Sequence, residues 1–206
     1  MSRTRLRTTP LSDWWKATTE ARHEQGDLIR RLPIVKVEDI ELGDEPTLRA
    51  GVETIDAIVV TQTCDLQNAK IRNVLLARVL TWTDFAAAQD AAGNTAVRSR
   101  GFRRGLIRGD IPPLTLLHEQ TSPPVLRWSV VDFRELHTIQ LDRLDALVLR
   151  SGHRRRLRLQ SPYKEHFAQA FARFYMRVGP PHDAAAFEDA GQLVIDALAR
   201  APAGEA

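Results

Sequence analysis

The chain has 206 residues, 43% of them hydrophobic and 27% charged, with a formal charge of +3. That balance is typical of a globular chain long enough for one sizeable core. No apolar run approaches the roughly 20 residues of a membrane helix, the basic start Met1-Ser-Arg-Thr-Arg-Leu-Arg7 lacks the apolar stretch of a secretory signal, and a single cysteine excludes an internal disulfide, so the expected setting is a reducing cytoplasm with no membrane partner.

Residues 12–24 read as a short helix, with Ser12 as N-cap, Asp13 in the first turn and Gly26 as the stop, and with Trp14, Trp15 and Ala17 forming its apolar side. Asp27–Val37 reads as a strand bent at Pro33. The acidic segment that follows, to Arg49, reads as an exposed loop. Residues 56–63 are apolar on both faces as far as Val60, which predicts a central strand. Asn73–Thr81 is a second strand, and the turn residues between the two predict an antiparallel pair. Thr83 is the expected cap of a helix over Asp84–Ala92, closed by Gly93.

The arginine-rich stretch 97–108 has no clear periodicity. Ile111–Glu119 and Val125–Phe133 read as strands, His137–Leu141 as a short one, and Arg154–Gln160 as a half-exposed strand with Arg156 and Arg158 on one face and Leu157 and Leu159 on the other. Ser161-Pro162 is a helix start, and Tyr163, Phe167, Phe171, Phe174 and Val178 make its apolar stripe. A last helix is expected over Asp183–Ala199, with a disordered tail from Ala201.

Strands dominate the middle of the chain and do not alternate with helices, so the expected fold class is α+β. Its core over residues 27–160 is a small, strongly bent antiparallel β-barrel with a helical, arginine-rich insertion near 83–108. One helix precedes it in residues 1–26, and two follow in 161–200.

The segment Asp56–Asn68 carries the strongest chemical signal. An apolar strand ends in Thr61, Gln62, Thr63, Cys64 and Asp65, where a rigid element could hold reactive groups. Thr61 and Thr63 share a face if the strand continues through them, and Asp65 and Asn68 also suit a turn. Cys64 reads as a buried small hydrophobe, with a thiol nucleophile as the alternative.

The 29 basic residues comprise 25 arginines and four lysines, a bias shared with GC-rich coding. Their clustering says more: Arg98, Arg100, Arg103, Arg104 and Arg108 lie in a stretch without acids, as do Arg150, Arg154, Arg155, Arg156 and Arg158. Arg156 and Arg158 precede the helix start at Ser161, whose free N–H groups attract anions, and Phe102 and His153 could stack on a base. Pairing with the acidic segment Glu38–Glu45 is the other use for these arginines. The six histidines have no metal-site spacing and there is no Cys-x-x-Cys or glycine-rich phosphate loop, so no metal and no cofactor are expected.

Three segments, Gly26-Asp27-Leu28-Ile29, Ala57-Ile-Val-Val-Thr61 and Val74–Val79, resemble the opening Gly-Asp strand, the hydroxyl-bearing strand and the following strand of the PemK/MazF-like toxin barrels. That resemblance implies an SH3-like barrel and metal-independent RNA cleavage and carries over Thr61 alone as a catalytic residue; the polar strand end adds Thr63 and Asp65 as catalytic candidates, and the arginine clusters add Arg103, Arg104, Arg154, Arg156 and Arg158 as nucleic-acid contacts. The family's Arg-Pro pair has no counterpart, because Gly51–Asp56 stands in its place and Arg49 is the nearest arginine. The alternative is a non-catalytic protein-interaction or regulatory subunit of a bacterial stress or defence system.

Overall fold

A computed structural model describes residues 13–41, 47–68, 71–150, 155–176 and 192. The chain divides into two units, Met1–Tyr175 and Met176–Ala206, and the fold below is that of the first. Its strands are β1 (Trp15–Thr18), β2 (Asp27–Glu41), β3 (Thr47–Val59), β4 (Asn73–Thr81), β5 (Leu114–Leu117), β6 (Ser129–Gln140) and β7 (Arg156–Leu159). The helices are α1 (Thr63–Gln67), α2 (Trp82–Ala91), α3 (Arg100–Arg108), α4 (Leu141–Arg150) and α5 (Tyr163–Tyr175), with a 3-10 turn at Thr95–Arg98.

The seven strands form one antiparallel sheet in the order β1-β7-β2-β3-β4-β6-β5. The α+β class is therefore present. The sheet is not closed, since β1 and β5 are edges with no ladder between them. It curls enough for those edges to approach: Trp15 on β1 donates its indole N–H to the carbonyl of His118, one residue past β5, at 2.8 Å.

β3 lies at the centre, as the apolar run predicts. Ala57, Ile58, Val59 and Val60 are all buried, and alternation sends Ile58 and Val60 to one face and Ala57 and Val59 to the other. The first face packs against Trp15, Phe133 and Phe167 under α5. The second packs against Leu144 and Val148 of α4. A third cluster, around Phe85, Val97 and Leu106, holds α2 and α3 beside β5 and β6. β4 pairs antiparallel with β3 and begins and ends where the sequence reading puts it.

Several expectations need correction. The segment read as an N-terminal helix contains β1, because Trp15 is drawn into the core and pairs with Leu159, while Trp14, just before the strand, packs against the same core and stacks on Tyr163. The bend in β2 falls at Arg31 (φ 50°), whose N–H bonds Asp56 Oδ1, two residues before Pro33. Glu38, Asp39 and Glu41 of the acidic segment lie in a strand, not a loop: β2 runs on to Glu41 and pairs with β3 from Thr47, and residues 42–46 lie outside the described residues.

The cap of α2 is Thr81 rather than Thr83, its hydroxyl accepting from the Asp84 N–H at 3.1 Å. β6 absorbs the short strand expected at 137–141, and α4 follows it where no helix was expected. In α5, Phe167 is buried, and Tyr163, Phe171 and Phe174 pack on the first core as the stripe predicts. Val178, the last helix at 183–199 and the tail lie outside the described residues, apart from Gln192.

Candidate functional site

Asp27, the first residue of β2, is wholly buried, and the arginines expected on an open strand face surround it. Arg156 Nε donates to Oδ2 at 2.7 Å and Arg158 Nε to Oδ1 at 2.5 Å. The remaining guanidinium donors reach the carbonyls of Glu20 and Arg22 and the carboxylates of Glu20 and Glu24, all within 2.8 Å. His23, also buried, stands 3.7 Å from Asp27 Oδ2 and 3.1 Å from Asp145 Oδ1.

Burial alone would raise the Asp27 carboxyl. The His23 ring and the Arg158 and Arg156 charges outweigh it and hold the group down at about 2. Burial likewise opposes the Arg158 charge, and Asp27, Glu20 and Glu24 outweigh it, so this guanidinium is held charged more firmly than usual. All of β7 is buried, not half-exposed. Arg156 and Arg158 do share a side, as alternation requires, but that side faces an internal carboxylate, so they do not offer an open phosphate site.

The polar end of the central strand is also tied down. The strand stops at Val59, and Gln62 leads into α1, so Thr61 and Thr63 do not lie along one strand face. Thr61 Oγ1 accepts the Leu75 N–H at 2.7 Å, and Thr63 Oγ1 accepts the Gln25 N–H at 3.2 Å. Gln25 also gives its side-chain amide to the Val60 carbonyl at 2.8 Å. The Thr63 hydroxyl and the guanidiniums thus grip one loop, residues 19–26, from two sides, while the Thr61 hydroxyl is held by β4. Gln25 takes the strand end and Asp27 takes the arginines, and the two sets do not meet in a shared cleft.

Asp65 lies in α1 with its carboxylate 3.7 Å from the Cys64 sulfur. Cys64 is exposed, which overturns its reading as a buried hydrophobe. In the native chain it should be alkylated completely by iodoacetamide without prior unfolding, because the sulfur is open to the reagent; mass spectrometry of a time course checks this, and protection of more than about tenfold relative to the denatured chain contradicts it.

The most open chemistry lies where the sheet edges approach. A cavity of about 690 Å³ opens between β5 and β7, with α3 and α5 as walls. Four rings run across it in sequence. Tyr163 stacks on Trp14 (4.0 Å between centroids, 13° between planes), Trp14 on His118 (5.5 Å), and His118 tilts against Trp128 (4.4 Å). The floor is apolar, with Leu106, Leu117, Leu159 and Phe167. Trp14 Nε1 is buried and has no hydrogen-bond partner among the described residues, so an unused donor lies in the ring set.

Arg103, Arg108 and Arg173 stand at the rim. Arg103 is exposed and uses one donor on the Arg98 carbonyl at 2.9 Å, while Arg108 pairs with Asp110 at 2.8 Å. Helix α3 starts at Ser99, whose hydroxyl accepts the Phe102 N–H at 3.0 Å. That cap turns Leu106 inward and leaves Arg100, Arg103, Arg104 and Arg108 in water.

Of the expected nucleic-acid contacts, Arg103 lines this cavity and Arg104 is exposed on the same helix. Phe102 is packed with Trp82 and Phe85 instead of standing free to stack. Arg154 and His153 lie outside the described residues. The ring set escaped the sequence reading because its members are up to 149 positions apart; the only local signal was the adjacent pair Trp14-Trp15.

Among the described residues no three His, Cys, Asp or Glu side chains are grouped to hold a metal ion, and no helix is long and apolar enough to cross a membrane. Comparison of the chain with protein-family models, curated proteins and solved structures gives no match.

Proposed function

We propose that this chain binds single-stranded nucleic acid, RNA in the first instance, with a base in the aromatic cavity and the phosphate backbone along α3. The observation that carries this reading is the pairing of a ring-lined, apolar cavity with a basic helix that forms its wall. Stacking of bases on aromatic side chains beside a cationic track is the general chemistry of single-strand recognition. A purely apolar ligand would explain the floor but not the exposed Arg100, Arg103 and Arg104. The curled antiparallel sheet supports the resemblance to PemK/MazF-like barrels, and the toxin or defence setting rests on that resemblance alone.

The reading stops at binding. Thr61, Thr63 and Asp65 are not among the residues that line the cavity, and the two hydroxyl oxygens serve backbone amides. Arg156 and Arg158 serve Asp27. A ribonuclease would need a nucleophile-activating group and a charge-stabilising group beside one phosphate.

The test is a titration of tryptophan fluorescence with a single-stranded oligoribonucleotide. Three phosphate contacts predict that affinity falls roughly twentyfold between about 50 and about 200 mM salt. Trp128→Ala should weaken binding by about tenfold through lost stacking, and Arg103→Ala with Arg104→Ala should flatten the salt dependence. No saturable binding at the lower salt would overturn the proposal. So would tight binding of a long-chain fatty acid that the oligonucleotide does not displace.

A further inference from the structure

We propose that the outer half of the β2–β3 hairpin is a homodimer contact, in which one face of the ribbon packs on the same face of a second copy. The hairpin outgrows the sheet. β2 pairs with β7 only at Asp27 and Leu28, and β3 pairs with β4 only from Asp56 to Val59. From Pro33↔Thr54 outward to Glu41↔Thr47 the two strands pair with each other alone.

The side chains of this ribbon are sorted by face. Val35 pairs with Val52, Val37 with Ala50 and Ile40 with Leu48, and partners across a ladder share a side. On β3, Leu48, Ala50 and Val52 alternate onto one side. On β2, simple alternation from Val37 would put Asp39 there. The irregularity between Val37 and Asp39 inserts one residue, which turns Asp39 toward Arg49 on the far side and brings Ile40 to the apolar one. Lys36 and Gly51 occupy the far side too, and the Glu38 carboxylate lies over Gly51.

The apolar side is open to solvent. Val35 is 73% exposed, Val52 75%, Leu48 61%, Ile40 54% and Val37 50%. A lone two-stranded ribbon is marginal in water, and independent stability needs a further layer against its apolar face. Nothing among the described residues supplies that layer.

The pattern itself selects the occupant. Three apolar residues on each of two antiparallel strands give the face an approximate two-fold axis through the Val37–Ala50 pair. An isologous contact requires such a self-complementary patch. The face carries no charge, so like meeting like brings no repulsion, and the charged side points away from the contact. The five exposed side chains offer roughly 500 Å² per copy, hence about 1,000 Å² in a face-to-face pair, which reaches the lower bound for a specific interface. Two ribbons stacked about 10 Å apart would form a small β-sandwich.

Sedimentation analysis of the full chain over about 1–100 μM is the test. The parent chain should be dimeric at the upper end. Val35→Glu with Val52→Glu should remain monomeric there, with an unchanged circular dichroism spectrum, since both sites are exposed in the single copy. A matched pair checks the geometry: Val37→Glu and Val37→Lys should each be monomeric alone and dimeric when mixed, because position 37 lies next to the axis. A parent that stays monomeric to about 100 μM overturns the proposal. So does a dimer that survives the double glutamate substitution, or one held through the ribbon edges, which the Val37 pair would not rescue.

Discussion

Replacing Asp27 with alanine is expected to destabilise the fold by about 3–5 kcal/mol, measured by urea denaturation near pH 7. The size follows from what is left behind. Arg156 and Arg158 are 4% and 6% exposed, and their nearest anion is Asp27. Without it two cations share a pocket lined mainly by carbonyls, with Glu20 and Glu24 reaching only Arg158. Asp27→Asn should lose almost as much, because the amide keeps the shape but supplies no charge. Converting Asp27, Arg156 and Arg158 together to apolar residues of similar volume should recover much of the loss, since an all-apolar replacement does not leave a charge stranded. A cost below about 1 kcal/mol for Asp27→Ala would mean that water reaches the arginines and that the loop at 19–26 is not clamped by them.

The same group sets an acid limit. The Asp27 carboxyl lies near 2 in the folded chain against an ordinary 3.8. Between those values the unfolded chain takes up the proton first, so stability falls as pH falls. The contribution is complete above about pH 4 and is lost as pH drops through about 2, and it amounts to about 2 kcal/mol. In Asp27→Asn that part of the acid transition should vanish while the rest of the pH profile is kept.

This clamp shows what a single sequence exposes and what it hides. The alternation Arg156-Leu157-Arg158-Leu159 correctly sorts the four side chains into two sets. That the arginine set meets an internal carboxylate instead of water is decided by Asp27, 129 positions away from Arg156, and spacing holds no trace of that partner. β4 was legible because its apolar run, Val74–Leu80, is broken only by Arg78 and is bounded by polar residues at both ends. The stripe of α5 was legible because Phe167, Phe171 and Phe174 recur at helical spacing. α4 could have been read in the same way from Leu141, Leu144 and Val148, which recur at that spacing too. It was hidden by the strand-like residues just before it.

The failure at β1 has a different cause. Trp14 and Trp15 look like one sticky side of a helix, but Trp15 opens a strand, and both rings pack against one core from there. Tertiary burial outweighs a weak local preference in a segment of four residues. The outer hairpin was missed because its acidic residues suggested a loop. Its apolar residues keep to one face only when the bulge near Glu38 is counted, and a bulge is invisible until the strands are paired. The aromatic cavity had no local signature at all, since it forms only when the two edges of the sheet curl toward each other.

Phe133→Ala should cost about 3–5 kcal/mol and, unlike Asp27→Ala, should also weaken the ligand. Phe133 is fully buried on β6, with its ring 5.7 Å from Phe167, 5.4 Å from Phe171 and 6.3 Å from Phe174. Three of the apolar residues of α5 thus rest on one side chain. The ends of the helix are held otherwise: Tyr163 stacks on Trp14, and the Tyr175 hydroxyl donates to the Phe133 carbonyl at 2.6 Å, a bond the substitution leaves in place. The middle of α5 should therefore sag into the vacated volume, carrying Phe167 and Ala170 out of the cavity wall. Oligonucleotide affinity of the folded protein should fall about tenfold, whereas Asp27→Ala, studied at a temperature where it remains folded, should stay within about threefold of the parent. Phe133→Leu, which keeps most of the volume, should cost less than about 1.5 kcal/mol and retain most of the affinity. Should Phe133→Ala lose stability alone, with binding intact, the wall formed by α5 would have no part in holding the base, and the ligand would have to be sought along α3 instead.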